Sequence, residues 1–165
     1  MPIRFVMGVR QASEDNPMNL REQLETDAKT ALKARDRLRL EVVRMVRSQV
    51  KYMEISKGHD LSDEEVIDVL VSALKARRET LDFSEKSGRE DLIEKARQEI
   101  QIIETYLPQQ LSESEIQELI NQAVGETGAS DLKDMGRVMG VLMPRLKGRA
   151  DGKLVNILVR QALSH

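Results

Sequence analysis

The chain has 165 residues, a formal net charge of −2, 33% charged residues and only 2% aromatic residues. It contains no cysteine, which excludes disulfides, thiolate nucleophiles and cysteine-based metal sites and agrees with a cytoplasmic location. Strands favour aromatic and β-branched residues, so the scarcity of aromatic residues and the mixed charges predict an all-α protein. No apolar run approaches the roughly 20 residues that a membrane span needs, so we expect no membrane association.

Residues 1–17 do not share the helical pattern of the rest of the chain. They hold a short apolar patch around Phe5, followed by a polar run that ends at Pro17. The patch is shorter than the apolar region of a secretory signal, and no small-residue cleavage site follows it closely. We expect these residues to form an extended arm; the alternative is that Phe5 and its neighbours dock on the body or on a second copy.

Four helices are predicted after this arm, because apolar residues recur at helical spacing. Asn19 can cap the first helix, and Ser62 with Glu65 forms a capping box at the start of the third. Gly58 is expected to end the second helix and Pro108 the fourth. The predicted helices cover residues 19–34, 36–57, 62–84 and 89–107, with Leu92, Ala96, Ile100, Ile103 and Leu107 facing inward in the last.

Three shorter helices are predicted in the C-terminal third of the chain. Ser112 and Glu115 form a second capping box, and Asp151 is expected to cap the last helix. The predicted helices begin near residues 112, 131 and 151, and Leu154, Ile157, Leu158 and Ala162 are expected to face inward in the last. We therefore predict a four-helix bundle-like subdomain at residues 18–108 and a smaller three-helix subdomain at residues 109–165.

The sixth predicted helix contains the spacing Gly-x-x-x-Gly at Gly136 and Gly140. Two missing side chains on one face are expected to let another backbone approach closely. Pro144 would clash with the Gly140 carbonyl in a continuing helix, so we expect the helix to kink or end there. Nearby apolar residues are interpreted as core: Met135, Val138, Met139 and Leu142.

Charge is strongly polarised within the smaller subdomain. Residues 135–165 hold six basic residues and one acid, whereas residues 111–134 hold six acids and one lysine. A basic loop before a helix N-terminus favours binding to a phosphate backbone; the alternative is that its charges pair with the acidic fifth helix or are solvated. The candidate RNA-binding residues are Arg137, Arg145, Lys147, Arg149 and Lys153. A second basic stretch, residues 33–51, has seven basic residues and two acids and is interpreted as a solvated helical face.

No catalytic constellation is visible in the sequence. The two histidines, His59 and His165, are not spaced for a triad or a metal cluster, and the acidic pairs occur in helix first turns, where the helix dipole explains them. We therefore predict no catalytic residue, no metal site and no cofactor, and a chain that is not an enzyme by itself.

Several segments resemble the YqeY family, whose members are free-standing relatives of the tail of the GatB subunit of aspartyl/glutamyl-tRNA amidotransferase. The matching segments are LKARDRLRL (32–40), YLPQQLS (106–112), GAS (128–130), DMGRVMG (134–140) and MPRLKGRADG (143–152). The resemblance covers about residues 18–163 and implies two all-helical subdomains. In GatB the tail helps to hold tRNA while the amide chemistry occurs elsewhere.

The resemblance therefore implies an accessory module that binds tRNA, with a possible amidotransferase or synthetase partner. The family label of carbon–nitrogen ligase with glutamine as amido-N-donor would then describe kinship, because the resemblance supplies no catalytic residue. The alternatives are a protein–protein adaptor that uses the glycine and methionine surface, or a component associated with a glutamine-dependent tRNA amidotransferase.

Overall fold

The computed structural model describes residues 19–164, so the predicted arm at residues 1–17 lies outside the described residues. Within that range the chain forms α-helices joined by short turns and no strand, which confirms the all-α prediction. The helices are α1 (Leu20–Ala34), α2 (Arg37–Lys57), α3 (Asp63–Ser87), α4 (Glu90–Glu104), α5 (Glu113–Thr127), α6 (Met135–Leu146) and α7 (Gly152–Leu163).

The packing divides these residues into two compact units. The first unit ends at Val69 and the second begins at Leu70. The first therefore holds α1, α2 and the start of α3, and the second holds the rest of α3 and the four later helices. The boundary at Val69 separates two groups of residues that each make most of their contacts internally. The boundary predicted at Pro108 separates two subdomains that each fold around their own core, which is a different property. The predicted four-helix and three-helix subdomains thus stay predictions.

In the first unit, α1 and α2 pack against each other across a two-residue connection. Arg35 takes the left-handed conformation, with φ of 58°, and its backbone N–H donates to the Leu32 carbonyl at 3.2 Å. The carboxylate of Asp36 then accepts from Arg39 N at 3.1 Å and caps α2. The apolar side chains of α1 and α2 that are buried are Leu24, Ala28, Ala31, Val42, Val43, Val46 and Val50.

The connection from α2 to α3 follows the predicted signals closely. Gly58 ends α2 with φ of 79°, a conformation that costs glycine little. Ser62 and Glu65 form the predicted capping box, since each accepts a hydrogen bond from the other's backbone N–H. Lys57 donates to Glu65 at 2.6 Å, and this bond, with that from the Ser62 amide, lowers the pKa of Glu65 to about 2.

In the second unit, α4 differs from the prediction in its end and in its inward face. The helix ends at Glu104, three residues before the predicted end, because the chain turns there and buries Tyr106. The buried apolar residues within α4 are Ile93, Ala96, Ile102 and Ile103, whereas Leu92 is exposed and Ile100 and Leu107 are only partly buried.

The last three helices bury one apolar cluster. Ser112 and Glu115 form the second predicted capping box at the start of α5. The backbone N–H of Leu111 donates to the Arg149 carbonyl at 2.8 Å and so ties the segment before α5 to the loop before α7. The cluster consists of Ile116, Ile120, Ala123, Val138, Leu142, Leu146, Val155, Leu158, Val159 and Leu163.

Three expectations for α6 and α7 are corrected by the structure. Pro144 does not end α6, which continues two residues further to Leu146, while the alternative expectation of a kink there stays a prediction. No close approach occurs at Gly136 or Gly140 within residues 19–164, because a methyl group added at either would meet no atom within 4 Å. In α7, Ile157 is exposed, and Leu154 and Ala162 are only partly buried.

Candidate nucleic-acid interface

Arg137 lies at the start of α6 and contacts the end of α5. Its guanidinium donates to the Thr127 carbonyl at 3.0 Å and to the Asp134 carboxylate at 2.7 Å. Asp134 also accepts from the backbone N–H groups of Ser130 and Asp131. Hydrogen bonds from Ser130, Arg137 and Asp131 lower the pKa of Asp134 to about 2. Arg137 is therefore exposed but already holds the turn between α5 and α6.

Arg145 pairs with the acidic fifth helix. Its two terminal nitrogens contact the two carboxylate oxygens of Glu126 at 3.2 and 2.7 Å, a bidentate arrangement. These hydrogen bonds lower the pKa of Glu126 and raise the pKa of Arg145. At this position the structure shows the pairing that the sequence left open as the alternative to phosphate binding.

The remaining three candidates also have internal partners. The Nε of Arg149 donates to the Gln109 carbonyl at 3.4 Å, and Lys153 Nζ lies 3.8 Å from the Asp82 carboxylate. Lys147 is exposed and has an interaction within the protein. At the start of α7, the Asp151 carboxylate accepts from Lys153 N at 3.2 Å, so part of the predicted anion site is already occupied by this cap. The RNA-binding role of these residues stays a prediction.

A second basic surface lies in the first unit, on the stretch that was interpreted as a solvated face. Arg44, Arg47 and Lys51 line a groove of about 540 Å³ between α1 and α2. All three are exposed, and none has an ion-pair or hydrogen-bond partner through its side chain within residues 19–164. Tyr52, next to Lys51, is 73% exposed. We call Arg44, Arg47, Lys51 and Tyr52 the α2 basic face.

The signal that could have identified this surface was present in the sequence. Residues 33–51 carry an excess of five positive charges, and Arg44, Arg47 and Lys51 recur at helical spacing. What the sequence could not show was that no acid of a neighbouring helix pairs with them within the described range. The opposite wall of the groove carries Glu22 and Glu25 of α1.

The described part of the chain offers little for metal binding. Residues 19–164 contain no group of three histidine, cysteine or carboxylate residues that could hold a metal ion. His59 is exposed, with Nδ1 2.9 Å from the Asp60 carbonyl oxygen, and His165 lies outside the described residues. Over the same residues, none of the helices has the length and apolar character needed to cross a bilayer.

Several curated relatives are proteins named "Altered inheritance of mitochondria protein 41, mitochondrial". The relative from Kluyveromyces lactis is 37% identical over 99 residues, which are 59% of this chain and 54% of the relative. The relative from Lachancea thermotolerans is 30% identical over 129 residues, covering 76% of this chain and 69% of the relative. This chain thus spans about half of the first relative's length. Because both names specify mitochondria, the predicted cytoplasmic location is wrong.

A second group of relatives consists of much longer proteins. The E subunit of glutamyl-tRNA(Gln) amidotransferase from Thermococcus gammatolerans is 42% identical over 57 residues, which are 32% of this chain and only 9% of that relative. The family model described as "Yqey-like protein" matches residues 21–163, nearly all of the described helices. The chain therefore belongs to the YqeY family.

Proposed function

We propose that this protein is a non-catalytic accessory module that binds tRNA through the basic residues of its C-terminal segment. The observation that carries the proposal is the 57-residue similarity to the E subunit of glutamyl-tRNA(Gln) amidotransferase. That similarity covers 9% of the longer protein, so the common part is a small module and not the whole enzyme. A module of this kind is expected to hold or position tRNA for a partner such as an amidotransferase or a synthetase.

The internal ion pairs of the C-terminal segment are compatible with this function. Arg145 and Glu126 are both exposed, and an exposed pair contributes only about 0–1 kcal/mol. A phosphate can therefore compete with the Glu126 carboxylate for Arg145. Meanwhile, the pair holds the guanidinium in a fixed position, which lowers the entropy lost on binding.

The test is tRNA binding by filter retention as a function of salt. Wild-type protein with about five phosphate contacts is expected to show a log–log salt slope of about −3 to −5. Arg145→Ala with Lys147→Ala and Arg149→Ala removes three contacts, so the slope should fall by about 2 to 3. Replacing Glu126 with Gln frees Arg145 from its acidic partner and should tighten tRNA binding at low salt.

The matched control removes three positive charges elsewhere in the second unit. Lys75→Ala, Lys86→Ala and Lys133→Ala affect exposed lysines with no side-chain partner among the described residues. This variant should keep the wild-type salt slope, because none of the three lysines is a proposed phosphate contact. A basic triple variant that binds tRNA with the wild-type affinity and slope would overturn the proposed site, and wild-type protein that binds no tRNA at low salt would overturn the function.

A protein–protein adaptor is the second candidate, because the glycine face of α6 is open. Gly136 and Gly140 are exposed and have no neighbour within 4 Å of an added methyl group, and Met143 on the same side is also exposed. A partner helix could therefore approach the backbone here. Gly140→Leu should abolish capture of a purified amidotransferase while tRNA binding persists. Capture that is equal for the wild type and this variant would exclude this surface.

A further inference from the structure

We infer that the α2 basic face is a separate binding surface for unpaired RNA. It lies in the first unit, whereas the proposed tRNA contacts of the C-terminal segment lie in the second. This inference rests on the proposed function, because it takes RNA as the class of ligand. The residues that form the site are different. The inference adds the kind of RNA structure that this surface recognises, a single-stranded stretch.

The spacing of the cations places them on one side of α2. Arg44, Arg47 and Lys51 are separated by three and four residues, which brings successive side chains to the same face of a helix. The distance along the helix axis from Arg44 to Lys51 is about 10 Å at 1.5 Å per residue. This row of charges can follow several successive phosphates of a strand. The hydroxyl of Ser48, which also lines the groove, can donate to the same strand.

The lack of internal partners among the described residues distinguishes these cations from Arg39 and Lys57 of the same helix. Arg39 lies 3.6 Å from the Asp36 carboxylate, and Lys57 lies 2.6 Å from that of Glu65. No such partner is found for Arg44, Arg47 or Lys51 in the described part of the chain. Among residues 19–164 no carboxylate pairs with them, whereas at Arg145 a phosphate must compete with Glu126.

Tyr52 indicates that the ligand is single-stranded. The protein has two tyrosines; Tyr106 is buried, but Tyr52 is 73% exposed. It follows Ser48, a residue that lines the groove, by one helical turn. Proteins that bind single strands combine a basic groove with aromatic rings on which unpaired bases stack. A paired base is already stacked in its duplex, so Tyr52 favours an unpaired one.

The polar lining of the groove argues against an acidic peptide as the ligand. Its apolar lining residues, Leu24 and Val50, are 1% and 6% exposed and offer almost no area to an amphipathic helix. Glu22 and Glu25 form the other wall and repel any anion, so the strand is expected to follow the α2 side of the groove. Replacing both with glutamine should therefore tighten RNA binding at low salt.

The experiment measures binding of a short fluorescent oligouridylate and of an RNA duplex of equal length by fluorescence anisotropy. The wild type is expected to prefer the oligouridylate. Arg44→Ala with Arg47→Ala and Lys51→Ala should weaken this binding at least tenfold and reduce the salt slope by about 2. Tyr52→Leu should weaken oligouridylate binding roughly tenfold without changing duplex binding. The variant with Lys75, Lys86 and Lys133 replaced is the charge-matched control, and circular dichroism checks that each variant is folded.

The outcomes separate this inference from the proposed function. Loss of tRNA binding in the C-terminal triple variant, with unchanged oligouridylate binding in the α2 variants, would support the proposed function and overturn the inference. Loss of oligouridylate binding in the α2 variants, but not in the C-terminal triple variant, would support the inference. If the C-terminal triple variant also kept wild-type tRNA binding, that result would count against the proposed tRNA site. Equal binding of polyglutamate and oligouridylate by the wild type would also overturn the inference, because it would indicate a general polyanion surface.

Discussion

Replacing Leu142 with alanine is expected to lower the free energy of unfolding by about 2–5 kcal/mol, one of the largest effects in this protein. Leu142 is fully buried in the middle of the cluster that α5, α6 and α7 share. The substitution removes buried apolar surface and leaves a cavity between three helices that are tied together by their connections. Urea denaturation followed by far-ultraviolet circular dichroism measures the change, since the chain has no tryptophan to report by fluorescence.

Met143→Ala is the matched control for this prediction. Met143 follows Leu142 on α6 but is 36% exposed, so its truncation should cost less than about 1 kcal/mol. Similar losses for the two variants would contradict the placement of Leu142 in the shared cluster. If Leu142→Ala does not fold, Leu142→Met is the milder variant, with an expected loss below about 1.5 kcal/mol.

Glu54→Ala is expected to have the second large effect on stability, a loss of about 1–3 kcal/mol. Glu54 is a carboxylate on α2 that is only 8% exposed. One of its oxygens accepts from the Leu61 backbone N–H at 3.1 Å and lies 2.5 Å from Arg21 Nε. Alanine would leave a buried amide without its acceptor. The cost stays below that of a fully buried ion pair, because Arg21 is 35% exposed and can be solvated.

Asp60→Ala provides the comparison, because Asp60 is the other carboxylate that contacts Arg21. Its distance to Arg21 is 3.4 Å and its side chain is 80% exposed, so its removal should cost about 0–1 kcal/mol. The two variants delete the same kind of contact in different surroundings. Equal losses would show that burial of Glu54 and its bond to the Leu61 amide contribute nothing measurable.

The sequence predicted most helix starts, because a start depends on residues that are close together in the chain. The exception is α6, which begins at Met135 and not near residue 131, because a short 3-10 turn at Leu132–Asp134 precedes it. Asn19, Ser62 and Ser112 all act as caps, and each is bonded to a backbone N–H three residues later. Helix ends were less reliable. Gly58 ends α2 as expected, but α4 stops before Leu107, because burial of Tyr106 redirects the chain.

The inward faces of α4 and α7 could not be predicted in full. Both helices contain adjacent apolar residues, such as Leu92 with Ile93 and Ile157 with Leu158. Helical spacing alone is compatible with burial of either residue of such a pair. The side chains of two consecutive residues differ in direction by about 100° around the helix axis, so only one of them faces the core directly. In the structure Ile93 and Leu158 are buried, whereas Leu92 and Ile157 are exposed. The position of the packed neighbours decides the choice, and that position is not encoded locally.

The sequence by itself determined the all-α class, the helix caps and the two stretches that carry excess positive charge. Only the tertiary structure decided which cations are already paired. Arg145 meets Glu126, 19 residues earlier in the chain, whereas Arg44, Arg47 and Lys51 meet no acid among the described residues. The physical reason is that an ion pair requires two groups within about 4 Å, and packing alone brings distant residues of a chain that close.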